Sequence, residues 1–267
     1  MLACYWPRVD GVVRGKRLSP KSIACEDWLY ETAGLPPEHA QQMEDKYFKL
    51  IDTRASDAHR LLCSGRSAEM SHEMKCDWAR FIMSIWFRTP PDVNGLKTVI
   101  NALLDPEVSE RVVGLTVPSD FPAGGLNQLQ MEALRLAIDD RERGEAFLAM
   151  TWATITIAGP GTLMISDWPL DSAKDLPFLG HPRSYVALPI SPRQLFVAAQ
   201  SEAFLHAIGN LPDGELERKQ NYATVSQARS FVGAVDDKEE AFIRSHFGCE
   251  GRPSIARFIA EAWNITL

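Results

Sequence analysis

Apolar positions recur along this chain first with a helical period and then with a strand period, the change falling near residue 150. Pro36-Pro37-Glu38 opens a long helical pattern whose buried stripe is Met43, Tyr47, Leu50, Ile51, Ala58, Leu61 and Leu62, and Gly65 closes it. Ser71 is suited to cap the next helix, in which Met74, Trp78, Phe81, Ile82, Ile85 and Trp86 return every three or four residues. Arg88-Thr89-Pro90-Pro91 ends it, because a residue before proline is driven out of the helical region. Two further helices are expected over 93–104 and 126–148, the second carrying Asp139-Asp140-Arg141-Glu142-Arg143 on a solvated face.

Beyond residue 150 the character changes. Segments 150–157 and 162–166 are rich in Thr, Ile and Trp around Gly159-Pro160-Gly161, which predicts a β-hairpin. Segments 185–190 and 194–199 repeat that pattern around Ser191-Pro192-Arg193. Helical spacing returns at 201–208, 216–232, 237–246 and 254–263, while the stretch up to Lys21 reads as extended chain. The expectation is an α+β protein, a mainly helical body with a small antiparallel sheet of about four strands in the second half. The chain reads as one continuous unit over 1–267, with a helical lobe about 36–149, a strand-containing lobe about 150–200 and C-terminal helices about 201–267.

Composition narrows the setting. Across 267 residues, 45% are apolar and 24% charged, the values of a chain able to bury a core. Lys and Arg number 28 against 35 Asp and Glu, so the net charge of −7 opposes a surface that tracks nucleic-acid phosphates. The longest apolar stretch, 147–165, is interrupted by Gly159-Pro160-Gly161, whereas a membrane helix needs about 20 mostly apolar residues, so no membrane partner is expected. Five scattered cysteines without a Cys-x-x-Cys fit free thiols in a reducing compartment. The opening MLACYWPRVDG meets Arg and Asp before any signal-length apolar run, which gives the expectation of a cytoplasmic protein. A homo-oligomer is allowed and not demanded, and the sequence leaves any cofactor and any partner unknown.

The common chemical motifs fail one by one. Gly159-Pro160-Gly161 lacks a following Gly-Lys-Ser/Thr, and its proline removes an N–H that a phosphate cradle would use. His72 and Cys76 stand one helical turn apart, a metal-ligand spacing, but no further ligands are indicated. Pro212-Asp213 with Glu217-Arg218-Lys219 echoes a nuclease signature, yet all five residues fall on one turn and helix start rather than on neighbouring strands. Neither a Gly-x-Ser-x-Gly elbow nor a His-Glu-x-x-His pair is present, and the six histidines are scattered.

An ordered series of short motifs remains. It runs Ser19-Pro20-Lys21-Ser22-Ile23, Glu26, Leu29-Tyr30, Glu44, Asp52, Ala55-Ser56, Asp77-Trp78-Ala79-Arg80-Phe81 and Arg88-Thr89-Pro90. It continues through Trp152, Ser166-Asp167-Trp168-Pro169, Leu188-Pro189-Ile190-Ser191-Pro192, Leu195-Phe196-Val197-Ala198, Asn221 and Gln227-Ala228-Arg229. In order and spacing this resembles the bacterial family catalogued as domain of unknown function forty-two thirty-eight, over nearly the whole chain. The resemblance implies one continuous unit and no assigned activity. Members of that family begin with a His-Tyr-x-Pro segment, for which this chain has Cys4-Tyr5-Trp6-Pro7.

The matching polar residues define the candidates. Asp167, Glu44 and Arg88 are the catalytic candidates, and Ser166, Asn221, Gln227 and Arg229 are the binding candidates. Ser166-Asp167 is expected at the end of a buried strand, where a carboxylate protrudes from a rigid support. Each residue also has an architectural reading. Asp167 would cap the Trp168-Pro169 turn, Arg88 would cover helix carbonyls or pair with Glu44, and Asn221 would bond to backbone. Two functions stay open: a non-catalytic binding or regulatory module, which the architectural readings favour, and a hydrolase-type enzyme acting on a phosphoryl or acyl substrate through Asp167 and Glu44.

Overall fold

Two antiparallel sheets carry the strand half of this protein, where the sequence pattern anticipates one. The computed structural model describes residues 2–7, 12–19, 43–103, 123–172, 179–212 and 214–251, with side chains excepted at 103 and 123–128. Within these the protein is α+β. The chain divides into one unit of Met1–Cys25, Ala55–Ala79 and Arg141–Arg252 and another of Glu26–Arg54, Arg80–Asp140 and Pro253–Leu267.

The first unit holds both sheets. One has the order β2 (Val13–Leu18), β1 (Leu2–Pro7), β8 (Val232–Ala234), β4 (Ile165–Ser166). The other has the order β3 (Thr151–Thr156), β7 (Gln194–Ala199), β6 (Tyr185–Ser191), β5 (Asp171–Ser172). The hairpin anticipated at 185–199 is present, with Tyr185 opposite Ala199 and Leu188 opposite Phe196. The one anticipated across Gly159-Pro160-Gly161 is not: β3 pairs with β7, whereas β4 pairs with β8 in the other sheet. The chain crosses between sheets instead of turning back, and proline in the crossing removes a ladder donor. The first sheet escapes the sequence pattern because β1 is buried at Ala3, Cys4 and Tyr5 in succession, while β2 exposes Arg14, Gly15, Lys16 and Arg17. Neither strand alternates.

Aromatic rings fill the centre of the second sheet's buried face. Phe196 is fully buried and meets Trp78 edge-on, with ring centroids 5.4 Å apart, and Trp152 at 5.5 Å. Trp78 comes from α2 (His72–Phe87), which Ser71 caps through its hydroxyl and the Met74 N–H, as its sequence position predicts. The end of α1 (Lys49–Cys63) is fixed to the β6–β7 turn. His59 lies 2.8 Å from the Ile190 carbonyl and Gln194 donates to the Cys63 carbonyl at 2.8 Å. Gly65 then adopts φ +70°, and the N–H groups of Gly65 and Arg66 close back on Leu62 and Leu61. This is the reversal that a left-handed residue makes cheap at a helix end.

Helices dominate the second unit. A π-helical turn, Met43–Phe48, leads into α1, and Pro90 starts α3 (Pro90–Leu103) at the position where a missing N–H is harmless. The Thr89 carbonyl accepts the first N–H groups of α3, from Asp92 and Val93, while its hydroxyl donates to the Asp92 carboxylate. Gln130 of α4 (Ala123–Ile138) donates to Asn101 of α3 at 2.8 Å. The single helix expected over 126–148 is in fact α4 followed by α5 (Arg141–Leu148), broken at Asp139-Asp140. Asp139 is not part of a solvated face. Its carboxylate, 21% exposed, binds Arg80 at 2.8 Å and Arg135 at 3.3 Å.

In the first unit, α6 (Glu202–Gly209) begins at the Ser201 cap, and α7 (Glu215–Ser226) stops well short of the expected residue 232, giving way to β8. Helix α8 (Glu240–His246) follows. The expected helix at 254–263 and the Pro36 helix start lie outside the described residues. Replacing Phe196 by Ala removes the ring on which Trp78 and Trp152 converge, and is expected to lower unfolding stability by about 3–5 kcal/mol in a denaturant titration.

Candidate functional site

Helix α7 presents a buried face made of polar side chains. Gln220, Asn221 and Thr224 are all at most 3% exposed, and Gln227 just past the helix is also buried. A helix packs such residues inside only when they have partners. Asn221 reaches the crossing segment, accepting the Met164 N–H at 2.9 Å and donating to the Thr162 carbonyl at 2.9 Å. One side chain thus replaces a strand neighbour. Glu217, one helical turn earlier, lies so close to Gly161 that a Cβ there would fall 1.6 Å from its Oε2.

Arg193 grips the same segment from the β6–β7 turn. Its guanidinium donates to the carbonyls of Ile157 at 2.7 Å, Gly161 at 3.1 Å and Gly159. The turn's backbone adds two bonds, Ile157 N–H to the Arg193 carbonyl and Leu163 N–H to the Pro192 carbonyl, both 2.8 Å. Neither Arg193 nor Glu217 is nominated by the sequence as a site residue. The available signal was a Gly-Pro-Gly segment unable to complete a ladder, whose carbonyls must find donors elsewhere.

Ser166 and Asp167 follow directly. The Ser166 hydroxyl donates to the Trp168 carbonyl at 2.8 Å and accepts the Trp168 N–H at 3.1 Å. Asp167 Oδ1 accepts three successive backbone N–H groups, from Arg229 and Ser230 at 3.0 Å and Phe231 at 3.3 Å. The structure therefore brings Asp167 and Arg229 together through the backbone of Arg229, whose residue is exposed. Gln227 donates to the Ala223 carbonyl at 3.1 Å, a bond within the local helical turn.

Glu44 and Arg88 belong to the other unit, where they form a second polar group with Asp52. Arg88, just beyond the end of α2, donates to Asp52 at 2.8 Å and lies over the Phe81 ring at 5.4 Å and the Phe48 ring at 5.9 Å. Such stacking suits the flat, weakly hydrated guanidinium. Glu44 is exposed as a residue, but partial desolvation of its carboxyl raises its pKa. Arg88 opposes that rise, and the charges of Asp52 and Asp45 add to it.

The Cys and His spacings carry no metal geometry. On α2, the His72 Nε2 and Cys76 Sγ atoms stand 3.5 Å apart, and among the described residues no group of three or more His, Cys, Asp or Glu is placed to hold a metal ion. His59 and Cys63 also approach at 3.4 Å, but burial pushes the Cys63 thiol up, the opposite of an activated nucleophile. Asp213 lies outside the described residues. No helix among the described residues is long and apolar enough to cross a membrane.

Residues 10–238 match the family described as Protein of unknown function (DUF4238). The chain belongs to that family. Cys4-Tyr5-Trp6-Pro7 precedes the matched residues, and within the family-matched span fall all seven candidate residues. No curated protein and no solved structure matches the chain.

The hydrogen bonds separate two groups of substitutions. Asn221→Ala strands a buried N–H and a carbonyl and is expected to reduce stability by about 2–4 kcal/mol. Asp167→Ala is expected to lose about 1–3 kcal/mol. Arg229→Ala keeps the backbone N–H that Asp167 uses, so its unfolding midpoint should stay within about 0.5 kcal/mol of wild type.

Proposed function

We propose that this protein is a non-catalytic binding or regulatory module working in the bacterial cytoplasm. The observation that carries the reading is the commitment of Asp167 Oδ1 to three consecutive backbone N–H groups. A carboxylate oxygen used in this way ties two loops together, which is an architectural role for the side chain. Ser166 and Asn221 are engaged in the same manner, each with one backbone donor and one backbone acceptor. The scattered cysteines, free where they are described, support a reducing compartment.

A hydrolase acting on a phosphoryl or acyl substrate is the second reading, favoured by Glu44. Its carboxyl holds its proton to higher pH than an ordinary glutamate, as a general acid must, and it stands beside the cation Arg88. In that reading Glu44 would protonate a leaving group while Arg88 balances negative charge.

The two readings part in one experiment. Wild-type protein, Asp167→Asn and Glu44→Gln are assayed against p-nitrophenyl phosphate and p-nitrophenyl acetate, with melting temperature followed in parallel. The module reading expects no turnover above buffer and a lowered melting temperature for Asp167→Asn alone. Turnover by wild type that either variant abolishes, at an unchanged melting temperature, would establish the hydrolase.

A further inference from the structure

The second sheet ends on one side at β5, two residues long, and on the other at β3, which runs for six residues as Thr-Trp-Ala-Thr-Ile-Thr without a charge or a proline. Both faces of β3 are engaged inside the protein. Trp152 packs on Phe147 and Phe196, with ring centroids 5.3 and 5.5 Å apart. Ile155, on the other face, packs against the buried cluster that includes Leu163, Leu195 and Val197. The edge is different. The Ile157 N–H donates to the Arg193 carbonyl, and counting back from that bonded pair the ladder from β3 to β7 alternates. Thr151, Ala153 and Ile155 exchange bonds with β7, so Trp152, Thr154 and Thr156 turn their N–H and C=O groups outward. Among the described residues nothing bonds to those outward groups. The strand is half-buried along its middle and exposed at both ends.

We propose that β3 is a self-pairing edge, on which a second copy of this chain lays its own β3 antiparallel about a two-fold axis through Thr154. Facing residues of an antiparallel pair share one face of the sheet, so a two-fold axis normal to the sheet must pass through a residue and not between two. The outward residues 152, 154 and 156 are symmetric about Thr154. The axis therefore sets Trp152 opposite Thr156 of the second copy and Thr154 opposite itself, and every outward N–H meets an outward C=O. The intervening Ala153 falls opposite Ile155, so a large side chain meets a smaller one on each face. The Thr154 hydroxyl is buried without a partner in the chain, and the axis sets it across from its own copy, where cross-strand Thr–Thr bonds form. A peptide could satisfy the same backbone groups, but symmetry about Thr154 is a property of this edge toward itself. A single short edge buries less surface than a standard interface, so the dimer is expected to be weak, in the micromolar range. The inference is independent of the choice between module and hydrolase, since none of the candidate site residues lies on β3.

The pairing is tested on the full chain by sedimentation velocity from about 1 to about 500 µM. The expected result is a passage from monomer to dimer with no larger species. Amide exchange is followed residue by residue over the same range. The amides of Trp152, Thr154 and Thr156 should gain protection as concentration rises, while those of Ala153 and Ile155 stay protected throughout. Thr154→Pro removes an outward N–H that bonds to nothing within the chain, and an edge strand tolerates proline at such a position. It is expected to keep the melting temperature near that of wild type and to weaken dimerisation by about tenfold or more. A monomer at every concentration, growth beyond the dimer, or a dimer whose outward amides exchange as fast as the monomer's would overturn the proposal. So would a Thr154→Pro variant that dimerises as well as wild type. Should that variant fail to fold, the concentration dependence of the outward amides decides.

Discussion

A segment that leaves one sheet to join another gives up its ladder partners, and every N–H and carbonyl along the way needs a substitute. Between β3 and β4 the substitutes are side chains. Arg193 covers three carbonyls, while Asn221 supplies an acceptor and a donor that a neighbouring strand would have offered. Much else in the first unit follows from this. Helix α7 must bury amides and hydroxyls rather than leucines. The β6–β7 turn must aim an arginine back over its own sheet, and β4 is then delivered to the edge of β8, where Asp167 can meet residues 229–231. Removing any one partner leaves polar backbone in the interior, where its desolvation is no longer compensated.

This constraint also explains what the sequence could and could not say. Helices with apolar stripes were legible: the Ser71 cap, the stop at Gly65 and the break before Pro90 all rest on local chemistry. So was the 185–199 hairpin, whose turn residues adjoin its strands. Pairing between distant segments was not legible. Nothing near Ile165 points to Val232, and nothing in the polar run of β2 points to β1. The helix read through to residue 232 failed for a related reason, since the buried face of α7 is polar and gives no apolar period to follow. Asp139 looked solvated because its neighbours are charged. Its arginine partners include one 59 residues away, which no local pattern reveals.

The candidate residues came as a set from the resemblance to the family, and their roles could not be read from it. Asp167 and Asn221 each address backbone groups dozens of residues distant, a use that side-chain identity alone cannot distinguish from catalysis. Arg88 is different in kind. It lies at the carboxyl end of α2, where a cation is favoured by the helix dipole, and its guanidinium spreads across Phe81 while holding Asp52. Charge, ring face and helix end converge on one side chain there, so replacing it with lysine would keep the charge and lose the flat surface.

The outermost strand of the first sheet among the described residues, β2, carries Arg14, Lys16 and Arg17 in the open. At the opposite margin β4 is only two residues long. An exposed strand margin is a template on which another chain can extend the sheet, and like charges or brevity are the two simplest ways to spoil it. One margin of this sheet uses the first and the other uses the second. The polar character that hid β2 from the hydrophobic pattern therefore has a colloidal consequence: copies of this protein that meet along that margin repel each other before their backbones can align.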